Sequence, residues 1–464
     1  MTAFLSTYLW RHQREIREAS AQLRQKAELQ VRAVQYLPSD QCLYPHAKTA
    51  IGYVFNPYMK TGTLWAPKDR PYTINSWGLR GGEIAAKAAG RKRIVLVGDS
   101  WFFGWLLGDD DRLESHLRRL LRDAPVDIVT VAVPGWNVRS EAAFLASHMR
   151  DLDPDAIVWE ICPNDTWMIG AVIPPGGLSW GFSPQNADLD GNAFTVMNNP
   201  LPLMPYVVDR HLENLARMDE AHTAFGVPVL AAPVDIPMAD WAFLAQKAGR
   251  SLPARFTPRV FAGDRKGWIS DVDHHPTPWM NERLALGYLT KLAEMGIVPR
   301  PRLDAAQAAI VAQWDRFNAQ APGADEIESQ VRSVMEQVPD TYITTGDFAR
   351  VTAGVDPTGT MGRRGLAYLR GPASASTVVM DVDVPAYAAR FPREARLTVR
   401  TFERDEATAT MGFSGLAQRV SVRAPLPAAA SRYPVWELEW RFNYDECQDP
   451  TRCTAARLVS LRSE

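Results

Sequence analysis

Residues 93–104 read RIVLVGDSWFFG, an apolar run that turns at once into the start of a helix. Ile94, Val95, Leu96 and Val97 follow one another without a polar alternate, which is how a strand buried on both faces reads. Gly98 then permits a tight turn. Downstream, RLESHLRRLLRD (112–123) and SEAAFLASHMRDL (140–152) have helical spacing, as do residues 204–226 and NERLALGYLTKLAEMG (281–296). Between them lie apolar runs at 126–135, 155–165 and 227–237, and a Pro-, Gly- and Asn-rich insertion at 166–205, long enough to form a lid. Strands separated by helices predict an α/β fold with a parallel sheet covered on both faces.

On either side the pattern differs. Residues 1–35 have the apolar spacing of one amphipathic helix, and 36–85 form a Pro-, Gly- and Tyr-rich strap ending in YTINSWGLRGGE. The catalytic-type domain is expected over 86–300, a helical connector over 301–339, and a β-sandwich over 340–464, where short runs such as STVVMDVDV and VWELEWRF follow one another. With 464 residues the chain is long enough for several domains.

Composition narrows the function. The 51 Lys and Arg balance 53 Asp and Glu to a net charge of −2, so no bulk field favours nucleic acid or an anionic membrane. No apolar run is long enough to span a bilayer. The start, MTAFLSTYLWRHQREIREAS, lacks the basic n-region of a secretory signal, which points to the cytoplasm; a leader removed ahead of Met1 would make the protein periplasmic. Cys42 and Cys162 are isolated. Cys447 and Cys453, six apart in DECQDPTRC, are spaced either to close a small disulfide loop or to remain as two thiols. No second Cys or His pair completes a metal site, and no cofactor is implied. Nothing in the sequence fixes the oligomeric state.

Chemistry gathers at the predicted strand ends. Taken alone, GDS at 98–100 is an ordinary turn with Asp or Ser as a helix cap. The next strand, though, ends in VAVPGWN and offers the Gly135 N–H, and the one after ends in EICPND and offers the Asn164 carboxamide. A hydroxyl, a glycine N–H and an amide at three successive strand ends are the parts of an acyl-transfer site with an oxyanion hole. A serine also needs a base. SDVDHHPTPWM (270–280) supplies His274 and His275 with Asp271 and Asp273 close behind. Trp101, Trp136, Asp165 and Trp167 adjoin these motifs and are the candidates for substrate contact; Phe102 or Phe103 is expected to pack onto the sheet.

GDS, then Gly135, then Asn164, then a D–H–P loop before a closing helix resembles the SGNH (GDSL-like) hydrolases, over about residues 93–297. The resemblance implies a flavodoxin-like three-layer α/β/α domain. It implies Ser100 as nucleophile, with the Ser100 N–H, Gly135 and Asn164 holding the oxyanion. It favours His275, followed by Pro and Thr, over His274 as base. The acid stays open: Asp273 orients His275, or Asp271 pairs with His274. INSWGLRGGE resembles the N-x-x-G-x-R-G-x-E strap of some bacterial members. Such a domain followed by a β-sandwich is similar to bacterial polysaccharide-modifying proteins, including alginate O-acetyltransferases of the AlgX type. The expected function is an esterase or deacylase for an O-acylated saccharide or glycosylated small molecule. An O-acyltransferase with the same triad and an idle carbohydrate-binding protein are the alternatives.

Overall fold

The computed structural model describes residues 72–166, 203–234, 273–319, 322–343, 360–372, 374–384, 393–413, 418–427, 433–443 and 456–464, with shorter pieces between and ahead of them. The helix expected over 1–35, most of the 166–205 insertion, Trp167 and Asp271 lie outside the described residues. Asp273 is described through its backbone alone.

The quoted stretch forms strand β1 (Lys92–Gly98) and a single helical turn, α1 (Ser100–Phe103). There follow α2 (Leu113–Leu120), β2 (Val126–Ala132), α3 (Val138–Leu152), β3 (Ala156–Ile161), α4 (Pro205–Phe225) and β4 (Val229–Pro233). All four strands are parallel, in the order β2-β1-β3-β4. The chain therefore steps from β1 to β2, then back across β1 to β3. Right-handed crossovers put α2 and α3 on opposite faces of the sheet as a result. The reversal makes the carboxyl end of β1 a switch point, where folds of this kind leave a crevice. Ile94, Val95, Leu96 and Val97 have no exposed surface, nor have Ile157, Val158 and Trp159, as a doubly covered sheet requires. Each such side chain contributes roughly 1.5–3 kcal/mol by leaving water.

A short hairpin, β5 (Trp268–Ser270) and β6 (Asp273–Pro276), brings the His274–His275 pair to this edge. Helix α5 (Pro278–Glu294) follows and packs on α2. Its start is set by Thr277, whose hydroxyl accepts the Met280 N–H, and by Pro278, which lacks the N–H a first helical residue cannot use. The strap reaches the same core. Phe55 stacks on Phe103 at 5.3 Å between centroids, and the Phe55 N–H donates to the Gly78 carbonyl.

Helices α6 (Ala305–Ala319) and α7 (Ala324–Met335) lead into antiparallel strands. Seven of these run in the order Glu406–Phe413, Arg393–Arg400, Val435–Phe442, Thr360–Arg370, Ala456–Ser463, Thr377–Val384 and Gln418–Pro425. The two end strands approach each other without pairing, so the sheet folds into two layers around Leu397, Val399, Tyr368, Met380, Val422 and Leu438. Strand Glu406–Phe413 is one that the sequence pattern did not reveal. Its alternating residues are Ala407, Ala409, Met411 and Phe413, all only half-buried, so no apolar alternation stands out. This part fastens to the first through Arg404, which pairs with Asp209 of α4, and through Phe402, 6.3 Å from Phe243 between ring centroids. Cys447 and Cys453 stand directly opposite in register on two-residue strands.

Gly98 is fixed by a close approach. A Cβ there would lie 2.7 Å from Cβ of Glu160, which fills the space beside it. Gly98→Ala is expected to cost about 1–3 kcal/mol by overpacking, read as a lower thermal unfolding midpoint. An unchanged midpoint would mean that Glu160 moves aside freely.

Candidate active site

Ser100 is the first residue of α1, and Asp99 caps that turn by accepting the Trp101 N–H at 3.2 Å. The Ser100 hydroxyl lies 2.7 Å from Nε2 of His275, a contact spanning 175 residues of chain. It also lies 3.2 Å from Oδ1 of Asp99. A hydroxyl has one proton to give, and the shorter contact favours the imidazole. For Nε2 to accept it, the neutral ring must carry its own proton on Nδ1. Trp105 stacks on the His275 ring, with centroids 5.2 Å apart and planes 22° from parallel. His274 stacks instead on Trp268 at 3.9 Å.

Gly135, three residues past the end of β2, has φ 81°, a left-handed conformation that glycine takes without strain. Asn164 follows β3 on a short 3-10 turn, Pro163–Thr166. Ser100, Gly135 and Asn164 thus follow three neighbouring parallel strands at one edge of the sheet. The thiol of Cys162 donates to Oδ1 of Asn164, and Nδ2 of Asn164 donates to Oδ2 of Asp99 at 2.5 Å. The thiol fixes which way the carboxamide faces. One of the two Nδ2 hydrogens is held by Asp99.

Beneath these groups lies a set of buried acids, of which the sequence reading picked out only Asp165, and that as a substrate contact. Oε2 of Glu160 accepts the N–H of Asp99 at 3.1 Å and that of Phe102 at 3.2 Å, bracing the turn that carries Ser100 from below. Glu141 accepts the Trp159 indole N–H at 2.6 Å. Asp165 accepts the N–H groups of Val138 at 3.1 Å and Cys162 at 2.8 Å. Burial, reinforced by the negative charge of Asp99, drives the Glu160 carboxyl well above its usual range. Burial does the same to Glu141, with help from Asp165, and lifts Asp165 itself to about 8. It also raises the Cys162 thiol, keeping it a donor. The visible signal for Glu160 was an acid inside the apolar run AIVWEI. Asp99, Glu160 and Cys162 offer ligand atoms within 4.8 Å of one another, the one group among the described residues close enough to hold a metal ion. Asp99, Cys162 and Oε2 of Glu160 are already engaged with backbone N–H groups and with Asn164, while Oε1 of Glu160 is buried without a hydrogen-bond partner among the described residues.

The three described residues expected to contact substrate are all buried. Trp136 is 1% exposed and packs on Phe144 at 5.3 Å, so it belongs to the core. Trp101 is 6% exposed and lies beside His275, tilted, at 6.4 Å between ring centroids. Asp165 is buried and spends both oxygens on backbone N–H groups, so it braces the Asn164 turn. Phe102 and Phe103 are both core residues. Trp105, which the sequence reading did not select, is the aromatic residue against the histidine.

No family model matches this chain, and no curated protein does. Solved structures do. The chain is similar to a lipase/acylhydrolase from Enterococcus faecalis, with 16% identity over 46% of this chain and 100% of that one, at a TM-score of 0.29. It is similar to AlinE4, an SGNH-hydrolase family esterase, with 16% identity over 45% of this chain and 96% of that one, at a TM-score of 0.27. It is also similar to a two-domain esterase active on acetylated mannans, with 10% identity over 81% of this chain and 91% of that one, at a TM-score of 0.27.

The raised Glu141 carboxyl has a thermodynamic signature. The unfolded chain ionises Glu141 near its ordinary 4.5, while the folded chain keeps the proton to higher pH. The unfolded state then binds fewer protons in that window, so stability falls as pH rises through it, by at most about 1.4 kcal/mol per unit. Glu141→Gln keeps an acceptor for Trp159 and removes this loss. Its unfolding midpoint relative to the unaltered protein is expected to climb from pH 5 to pH 8; a flat difference would show that Glu141 is ionised in the fold.

Proposed function

We propose that this protein is a serine esterase or deacylase that removes an acyl group from an O-acylated saccharide or glycosylated small molecule. The observation that carries the reading is the 2.7 Å contact between Ser100 Oγ and His275 Nε2 at the switch point of a parallel sheet. As the serine oxygen attacks the ester carbonyl, His275 takes its proton and becomes imidazolium. The N–H groups of Ser100 and Gly135 and Nδ2 of Asn164 hold the negative oxygen of the tetrahedral intermediate. His275 then protonates the departing alcohol, leaving an acyl group on Ser100. Water, deprotonated by the same histidine, attacks that ester and frees the enzyme. In this reading Asp273 orients the imidazole through Nδ1. A saccharide is the substrate class supported by the pairing of such a domain with a two-layered β-sheet domain.

Incubation with a panel of acetylated and free sugars, followed by mass spectrometry, tests the reading. Acetate release that disappears in both Ser100→Ala and His275→Gln is expected. Asn164→Ala should fold and retain a turnover roughly a hundredfold lower or less. Acetyl groups appearing on added saccharide in preference to water would make the protein an O-acyltransferase. Full activity in Ser100→Ala would overturn the assignment.

A further inference from the structure

The strap motif INSWGLRGGE needs an account of its own. Asn75 accepts the N–H groups of Trp77 and Leu79 at 3.0 and 3.1 Å, closing a turn. Glu83 closes it further by accepting from the N–H and hydroxyl of Ser76 at 3.0 and 2.7 Å. This turn delivers Arg80, 2% exposed, beneath the loop that follows the nucleophile helix. All five guanidinium N–H donors are used there. Nη1 donates to the carbonyls of Phe103 and Gly104 at 3.3 and 3.0 Å, and Nη2 to that of Leu107 at 2.8 Å. Nε and Nη2 donate to Asp109 at 3.0 and 2.8 Å.

The loop so held is one the chain would not adopt readily. Gly104 and Leu106 both have left-handed conformations, φ 81° and 57°, and the second is costly for a branched side chain. A Cβ on Gly104 would lie 2.6 Å from Cγ of Arg112. Between the two stands Trp105, whose ring lies against His275. The same loop runs on to Asp111, whose carbonyl accepts from Asn281 of α5, the helix that follows His275. Arg80 grips the backbone on both sides of Trp105, so its geometry passes to the imidazole.

We propose that Arg80 is a positioning residue for His275, acting through the clamped 103–109 loop and the Trp105 ring. The inference rests on the reading of Ser100 and His275 as nucleophile and base. Only a planar, five-donor group satisfies this set of acceptors, so lysine is not a substitute. Trp105 acts as the backing plate that keeps Nε2 within reach of Ser100, and misplacement by a fraction of an ångström lowers turnover rather than binding.

The test compares Arg80→Ala, Arg80→Lys, Trp105→Leu and Arg80→Ala/Trp105→Leu on p-nitrophenyl acetate, with circular dichroism to confirm folding. Each single variant should lose about tenfold to a hundredfold in kcat, with KM little changed. The double variant should lose no more than the worse single one, because both act through one contact. Added guanidinium should restore part of the turnover of Arg80→Ala but not of Trp105→Leu. A readout independent of turnover is the NMR resonance of the His275 ring, shifted by the Trp105 ring current. Both Arg80 variants should move it in the direction that Trp105→Leu does. Folded Arg80 variants with unchanged kcat and an unchanged His275 resonance would overturn the proposal, as would losses that add in the double variant. If Arg80→Ala does not fold, Arg80→Lys and Trp105→Leu decide the matter by the same two readouts. An unaltered protein inert toward esters, in which the Arg80 variants still shift the resonance, would sink the esterase reading and leave the clamp standing.

Discussion

The carboxyl group of Glu160 occupies the space that Gly98 leaves open, and from there it accepts the backbone N–H groups of Asp99 and Phe102. The position of Ser100 follows from this contact. Ser100 lies between the two braced residues, so its place relative to the sheet is set from below before any substrate arrives. Asp99, held in turn, caps the helical turn with one oxygen and takes a hydrogen of Asn164 with the other. An ionised carboxylate in such a place would carry a large desolvation cost. Burial, with Asp99 nearby, raises the Glu160 carboxyl well above its usual range and so disfavours that charge. Burial raises the Glu141 and Asp165 carboxyls and the Cys162 thiol in the same way, so the whole floor of the site disfavours charge. Such a floor suits a reaction in which negative charge appears only on the substrate oxygen.

The geometry above the floor is a consequence of topology. Strand β1 sits between β2 and β3, so residues two or three past their ends fall at one edge of the sheet. The histidine comes from a hairpin more than 150 residues downstream, and α5, packed on α2, fastens that hairpin to the first half of the domain. The strap and the 103–109 loop complete the enclosure on the side of Trp105.

Much of this was legible in the sequence because it rests on local chemistry. The unbroken apolar run at 94–97, the glycine that ends it and the polar residues at three strand ends can each be read within a few positions. The choice between His274 and His275 was weighed on the residues that follow them, and the structure adds a spatial observation: His275 contacts Ser100 while His274 lies on Trp268. What escaped was set by packing. Trp136 adjoins a motif residue yet is buried, because α3 begins beside it and turns its ring onto Phe144. Glu160 and Glu141 escaped because an acid in a core is improbable until its partners are seen. The role of Arg80 escaped because the arginine of a strap motif gives no sign that three carbonyls and a carboxylate oxygen are waiting for it. The half-buried alanines and exposed threonines of Glu406–Phe413 left no strong apolar pattern to find.

The central claim is that the Ser100 hydroxyl is a nucleophile activated by His275. A fluorophosphonate that reacts only with such a serine, followed by peptide mapping, tests it directly. The account predicts one adduct per chain, on Ser100, formed at a rate that collapses in His275→Gln while the fold persists. An adduct on another residue, labelling at an undiminished rate without His275, or no adduct at all on the folded protein would contradict it.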